Sequence, residues 1–305
     1  MAVSQLDRLD LPQTATALGK PVSMPSPTRA ERLLVPIELF SDILCPWCWI
    51  EKRSLEAAMK KFESKHPQVE FEVVWRSFCL NPLFKTSTST ICSPSTSTQT
   101  RLILPKKKPS TYRQSLHANE KLLNTTDRGG SECGKIALYD EMAGGPGKFQ
   151  PHLDRVSAVG AHYGLKFSVT GDTGPTRASQ ILIANILRRR GPAAQARVVE
   201  ALFRSHFLDG KDISDEDVLV SLGSETAGLP ADVVRSDLRD DDNGRFVDDE
   251  AEAAVEEKGV EAVPCVTVLG KYKVGGYQEQ EVFEKLFERI WAENARVLSK
   301  PWDND

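Results

Sequence analysis

Residues 41–56 read Ser41-Asp42-Ile43-Leu44-Cys45-Pro46-Trp47-Cys48-Trp49-Ile50-Glu51-Lys52-Arg53-Ser54-Leu55-Glu56. Immediately upstream, Leu33 to Phe40 form a short apolar run of the kind that makes a buried strand. Pro36 lies within that run and is expected near the strand's start or on an edge, where its missing N–H does no harm. Ser41-Asp42 close the run. From Pro46 to about Lys65 the pattern changes. Cys48, Leu55, Met59 and Phe62 fall on one helical stripe, with charges elsewhere. A Cys-x-x-Cys pair therefore stands where a strand ends and a helix begins.

That placement has a chemical consequence. The first backbone N–H groups of a helix lack partners, and the helix dipole is positive at that end. A thiolate at Cys45 accepts those N–H groups, which favours the anion, the attacking species in disulfide exchange. Cys48, one turn on, is within disulfide reach, and its inward-facing side chain is expected to stay protonated. Pro46 suits a first helical position because it has no N–H to lose. Asp42 either accepts a proton when Cys48 ionises or caps the turn at the strand end. Trp47 is expected to be exposed, as part of a substrate-binding lip, and Trp49 to pack.

The surrounding sequence fits a two-part molecule. The chain has 305 residues, enough for about two domains. Val69 to Phe78 alternates apolar and polar residues, with Val69, Phe71, Val73 and Trp75 on one side, and reads as a second strand. Residues 86–100 hold eleven Ser or Thr, so 84–130 reads as a low-complexity insertion, and the Pro-containing stretch 1–33 as a disordered tail. Helical patterns then follow. Leu153, Val156, Val159 and Gly160 begin one amphipathic stretch, and Thr176–Arg190 and Pro192–Phe207 are two more. Another helix opens at Ser214, with Asp217 completing a capping box, and Pro230–Lys258 holds one or two. Val263–Leu269 and Tyr272–Val274 flank Gly270-Lys271 as a hairpin, and Glu281–Val297 is a last helix. The first and last parts can then form one sheet, interrupted by a helical block.

Composition excludes several classes. With 39 basic and 43 acidic side chains the formal charge is −4, which gives no electrostatic footprint for nucleic acid. No apolar stretch approaches a membrane span, and the first twenty residues lack a secretory h-region. Six scattered cysteines are too few for a disulfide scaffold, so a reducing, cytoplasmic location is expected. A zinc site would need a second ligand pair. Cys79, Cys92, Cys133 and Cys265 stand singly, and His66, His117, His152, His162 and His206 show no matching spacing. No metal or organic cofactor is expected, with glutathione as a conceivable co-substrate.

The stretch at 41–56 resembles the active-site segment of the DsbA-like thioredoxin superfamily, specifically its FrnE-like branch. WRSFCLNP (75–82), VSAVGAHYGLKF (156–167), RVVEALFRSHFLDGKDISD (197–215) and KGVEAVPCVTVLGKYKVGGYQEQEVFEKLFERI (258–290) resemble later blocks in the same order. The resemblance implies an α/β thioredoxin fold with an inserted all-helical domain. Residues 34–83 and 245–295 form the discontinuous thioredoxin-like part, and residues 131–244 the insertion. It implies a disulfide oxidoreductase acting on a protein or small-molecule disulfide or dithiol, recycled by glutathione or a dithiol reductant. It also implies that Val263-Pro264 is a cis-proline pair opposite the cysteines, with Val263 presenting its backbone to substrate. Three departures stand out. Pro175 replaces an Asn, and Gln180 stands where a His is common, while Cys265 takes a position commonly aromatic. Other readings compatible with the same resemblance are a glutathione-dependent isomerase of the 2-hydroxychromene-2-carboxylate type, acting on an aromatic or polyketide-type molecule, and a non-catalytic thioredoxin-like binding module.

Overall fold

A computed structural model describes residues 33–80 and 133–298. The tail at 1–32 and the Ser/Thr-rich segment, with Cys92 and His117, lie outside the described residues.

Strand β1 (Leu33–Ser41) leads through helix α1 (Pro46–Lys65) into β2 (Val69–Ser77), which pairs parallel to β1 from Leu33↔Val69 to Ser41↔Ser77. The chain then passes through short strand β3 (Cys133–Gly134) and helices α2 (Lys135–Met142) and α3 (Gln150–His162). It continues through β4 (Asp172–Thr173), α4 (Arg177–Arg190), α5 (Pro192–Phe207), α6 (Glu216–Ala227), α7 (Ala231–Arg239) and α8 (Asp241–Glu256). It returns as the hairpin β5 (Cys265–Val268) and β6 (Tyr272–Gly275) and ends in α9 (Gln280–Leu298). The main sheet has the order β2-β1-β5-β6, with β5 antiparallel to both neighbours. The two ends of the chain thus share one sheet around the helical block, as expected. That block also holds the small β3–β4 pair, and a boundary at 244/245 falls inside α8.

β1 is central, and so its apolar run is buried along most of its length. Pro36 is consequently neither at the start nor on an edge. It is tolerated because β5 pairs only with Ile37–Phe40. Just beyond that ladder, the Pro36 carbonyl accepts the Leu269 N–H at 2.9 Å. α1 lies along α9, with Phe62 against Phe287 and Lys61 bridging to Glu284 at 2.6 Å. Its stripe is wider than the sequence suggests, since Glu51 and Lys52 are buried too. Lys52 pairs with Glu56 and with Glu200 of α5, at 3.2 Å for the latter. Trp49 packs as expected, between Phe167, Phe203 and Phe207. Its Nε1 donates to Glu200 at 3.2 Å. These contacts from one face of α1 hold the helical block against the sheet-bearing part.

One cap is shifted from the sequence reading. Asp215, not Ser214, is the N-cap of α6 and accepts the Val218 N–H at 2.9 Å. Ser214 instead donates its hydroxyl to Asp212 at 2.7 Å, so its oxygen is already committed.

β2 is an edge strand whose open N–H groups would invite pairing with another chain. Side chains occupy them. The buried Gln195 of α5 accepts the Trp75 N–H and donates to the Trp75 carbonyl, both at 2.9 Å. Glu250 takes the Ser77 N–H at 2.8 Å. Gln195→Leu orphans both Trp75 groups. The expected cost is about 2–4 kcal/mol, read as a lower denaturation midpoint in urea.

Candidate active site

Cys45 is the N-cap of α1, with extended backbone (φ −89°, ψ 107°) and Pro46 at the first helical position. The placement inferred from sequence is thus the observed one. Cys45 is 5% exposed and Cys48, one turn later, 0%. The Cys45 N–H donates to the Asp42 carbonyl, and the Cys48 N–H to the Cys45 carbonyl, each at 3.0 Å. Burial pushes the Cys48 thiol well above its ordinary range, and its hydrogen bond to Cys45 adds to that. Burial of the inner sulfur thus favours its protonated form.

The Val263–Pro264 peptide is cis. The Val263 carbonyl accepts a hydrogen bond from the Cys45 thiol at 3.6 Å, which brings the head of β5 over the Cys45 sulfur. The Pro264 carbonyl in turn accepts the Gly276 N–H at 2.8 Å. Cys265 follows, buried at the start of β5 as a packed core thiol.

Asp42 is fully buried at the end of β1. Its carboxylate accepts the N–H groups of Leu44 (2.9 Å) and Leu80 (2.7 Å) and the Thr176 hydroxyl (3.2 Å). Burial raises its pKa to about 6 against the pull of those donors. These contacts are those of a turn organiser, the second of the two roles considered for it. The loop that delivers Thr176 is tight: a Cβ at Gly174 would lie 1.9 Å from the Ser214 hydroxyl. Gln180, in the family's His position, donates to the carbonyls of Ser41 (2.9 Å) and Phe78 (3.2 Å) and so closes the ends of β1 and β2.

Trp47 is half-buried, not openly exposed. Its ring lies 5.3 Å from that of Tyr277, and the Arg155 guanidinium sits 5.4 Å above it. Tyr277 approaches Tyr163, oxygen to oxygen, at 3.4 Å. A rim of three aromatic rings and one cation therefore borders the cysteine pair.

Sequence reasoning missed a buried relay beneath the site. The Tyr139 hydroxyl donates to the carbonyl of Leu44, the residue before Cys45, at 2.8 Å, and lies 2.8 Å from His206 Nε2. Lys135 Nζ donates to the His206 carbonyl. Burial lowers Lys135 to about 8, takes His206 well below its usual value and raises Tyr139. A neutral His206 carrying its proton on Nε2 donates to Tyr139, which donates to Leu44. These hydrogen bonds fix the backbone next to Cys45. Its only signal in the sequence was polar residues within helical patterns. Glu51, three residues past Cys48, was missed as well. It is fully buried, accepts the Gln278 N–H at 2.9 Å, and burial raises its pKa to about 8. Among the described residues, no three His, Cys, Asp or Glu side chains gather to hold a metal ion. No helix among them is long and apolar enough to cross a membrane.

A strand ending in Cys-x-x-Cys at a helix mouth, opposite a cis proline, on a β2-β1-β5-β6 sheet, defines the thioredoxin class of α/β proteins. The chain belongs to the DSBA-like thioredoxin domain family, whose model matches residues 36–106 and 132–288. Among solved structures it is similar to a probable DsbA oxidoreductase from Streptomyces coelicolor, with 25% identity and TM-score 0.58, covering 85% of this chain and 91% of that one. It is also similar to 2-hydroxychromene-2-carboxylate isomerase, with 15% identity and TM-score 0.53, covering 86% and 98%. No curated protein matches it. The family is one of DsbA-like oxidoreductases.

Proposed function

We propose that the protein is a thiol–disulfide oxidoreductase that uses Cys45 and Cys48 through a mixed disulfide. The observation that carries this reading is the asymmetry of the pair. Cys45 caps the helix under the Val263 carbonyl, while Cys48 is sealed beneath it with its proton held.

The Cys45 thiolate attacks one sulfur of a substrate disulfide. The substrate S–S bond breaks, one substrate thiolate leaves, and a mixed disulfide forms. Cys48 then loses its proton and attacks the Cys45 sulfur. The second substrate thiolate leaves and the enzyme disulfide closes. One disulfide has been reduced to two thiols, and the enzyme dithiol oxidised. Two glutathione molecules, or a dithiol reductant, restore the starting state. Run backwards, the sequence oxidises a substrate dithiol. Pro46 and Trp47 set the spacing of the two sulfurs, Val263-Pro264 supports the outer one, and Asp42 holds the turn that presents it. No metal or organic cofactor takes part, and the proposed setting is a reducing compartment such as the cytosol.

Equilibrating the protein against glutathione redox buffers tests this reading. Two thiols should disappear together in a single two-electron transition, and both should return on reduction. Loss of one thiol at a time, with glutathione attached and no internal disulfide at any ratio, would overturn it. Stoichiometric glutathione binding with no exchange would favour the isomerase reading instead.

A further inference from the structure

We propose that Arg155 is a carboxylate-recognition residue beside the cysteine pair, which makes a small carboxylate-bearing disulfide of the glutathione type the preferred partner of this site. The inference rests on the oxidoreductase reading and names its substrate class.

The placement starts with α3, which packs against α1. Arg155 projects from α3 so that its guanidinium lies 5.4 Å from the ring centre of Trp47, one of the two residues separating Cys45 from Cys48. Trp47 is in turn braced by Tyr277. The cation is thus held by an aromatic face, which orders a long side chain without using its hydrogen-bonding edge. That edge is open. Arg155 is exposed. Among the described residues no carboxylate lies within 4.0 Å of it, and it donates no hydrogen bond there.

Other arginines behave differently. Arg53, Arg76, Arg177, Arg189, Arg235 and Arg239 are each tied to an Asp or Glu. A guanidinium held over an aromatic ring, with its fork unoccupied among the described residues and at the rim of a buried cysteine pair, is suited to bind a planar carboxylate in bidentate fashion. An extended tripeptide spans about 10 Å, so a ligand whose sulfur reaches Cys45 can lay a terminal carboxylate beyond Trp47. The neighbouring rings of Trp47 and Tyr277 offer a flat apolar wall for the chain between.

The test is the second-order rate at which the full-length dithiol protein is oxidised in a single turnover. The probes are glutathione disulfide, neutral 2-hydroxyethyl disulfide and cationic cystamine. Each reaction needs no other reactant: the enzyme dithiol becomes a disulfide and the probe becomes two thiols. Arg155→Gln should slow glutathione disulfide by about three- to ten-fold, as expected for one partly exposed ion pair. It should leave 2-hydroxyethyl disulfide unchanged and speed cystamine. Arg155→Lys should fall between, because it keeps the charge and loses the fork. The wild-type preference for glutathione disulfide should shrink in 1 M salt, where the Debye length is about 3 Å. Equal slowing of all three probes by Arg155→Gln, or no slowing of glutathione disulfide, would overturn the assignment while leaving the oxidoreductase reading intact. A wild-type protein that reacts with none of the three would overturn the oxidoreductase reading itself.

Discussion

Cys48→Ser should capture its substrate as a stable mixed disulfide on Cys45, while Cys45→Ser should capture nothing. The two sulfurs are three residues apart, yet their environments differ in kind. Cys45 stands at the helix mouth with its sulfur under the Val263 carbonyl, and Cys48 is sealed beneath it with its thiol pushed well up by burial. Replacing the outer sulfur with a hydroxyl removes the member of the pair that stands at the helix mouth to meet an incoming disulfide. Exchange should fall by at least about 10³-fold, equivalent to ~4 kcal/mol of barrier. Replacing the inner sulfur leaves the first attack intact and removes the resolving step. Incubated with glutathione disulfide, Cys48→Ser should gain the mass of one glutathionyl group in an intact-mass spectrum, and dithiothreitol should remove it. Wild-type turnover in both variants would refute the mechanism. An adduct on Cys45→Ser in place of Cys48→Ser would reverse the roles.

The second large effect concerns stability and pH. Glu51 is fully buried in the second turn of α1, and burial raises its pKa from 4.5 to about 8. The folded chain therefore holds a proton that the unfolded chain has already released above pH 4.5. Unfolding releases that proton across the interval, so Glu51 makes stability fall as pH rises from about 4.5 to about 8, with no further change beyond. The full shift corresponds to a penalty on the order of 5 kcal/mol. Glu51→Gln keeps an acceptor for the Gln278 N–H and cannot ionise. The variant should match the wild type near pH 4.5 and exceed it by several kcal/mol near pH 8.5, in urea unfolding measured at both values. The wild-type decline should be partly preserved in the variant below pH 6. Asp42, also raised by burial, from 3.8 to about 6, contributes its own fall between those values. A variant with the wild-type slope throughout, or one less stable at pH 8.5, would show that Glu51 is not the buried acid responsible.

Why would a fold keep such groups near its site? Glu51 and Ser54 both anchor the segment at Gln278, the former accepting its N–H and the latter donating to its carbonyl at 2.8 Å. That segment carries Tyr277, which braces Trp47, and Gly276, which bonds to Pro264. One face of α1 thereby ties down both the aromatic rim and the cis-proline turn. The polar groups cost desolvation energy and in exchange fix the position of two loops from a single helix.

Much of this was legible in the residues themselves. The strand before Asp42, the helix opening at Pro46, the helix Pro192–Phe207 and the hairpin around Gly270 follow from periodicity and from Pro and Gly signals, which act within a few residues. The position of Cys45 at a helix mouth is a local fact of the same kind. The sequence was misleading where the outcome depended on neighbours far along the chain. Pro36 reads as a strand-start or edge residue, yet it is tolerated inside a central strand because β5, more than 200 positions later, stops pairing one residue short of it. Glu51 and Lys52 read as solvent-facing charges, yet α5 and the loop at Gln278 cover them. Tyr139 and His206, 67 residues apart, show no pattern at all until packing sets their polar atoms 2.8 Å from one another. Local preference determined which segments became strands and helices and which thiol stands at the helix mouth. Only the packed molecule decided which charges were buried, which loops were anchored and which cation stood over Trp47, because burial is a property of what comes to lie alongside.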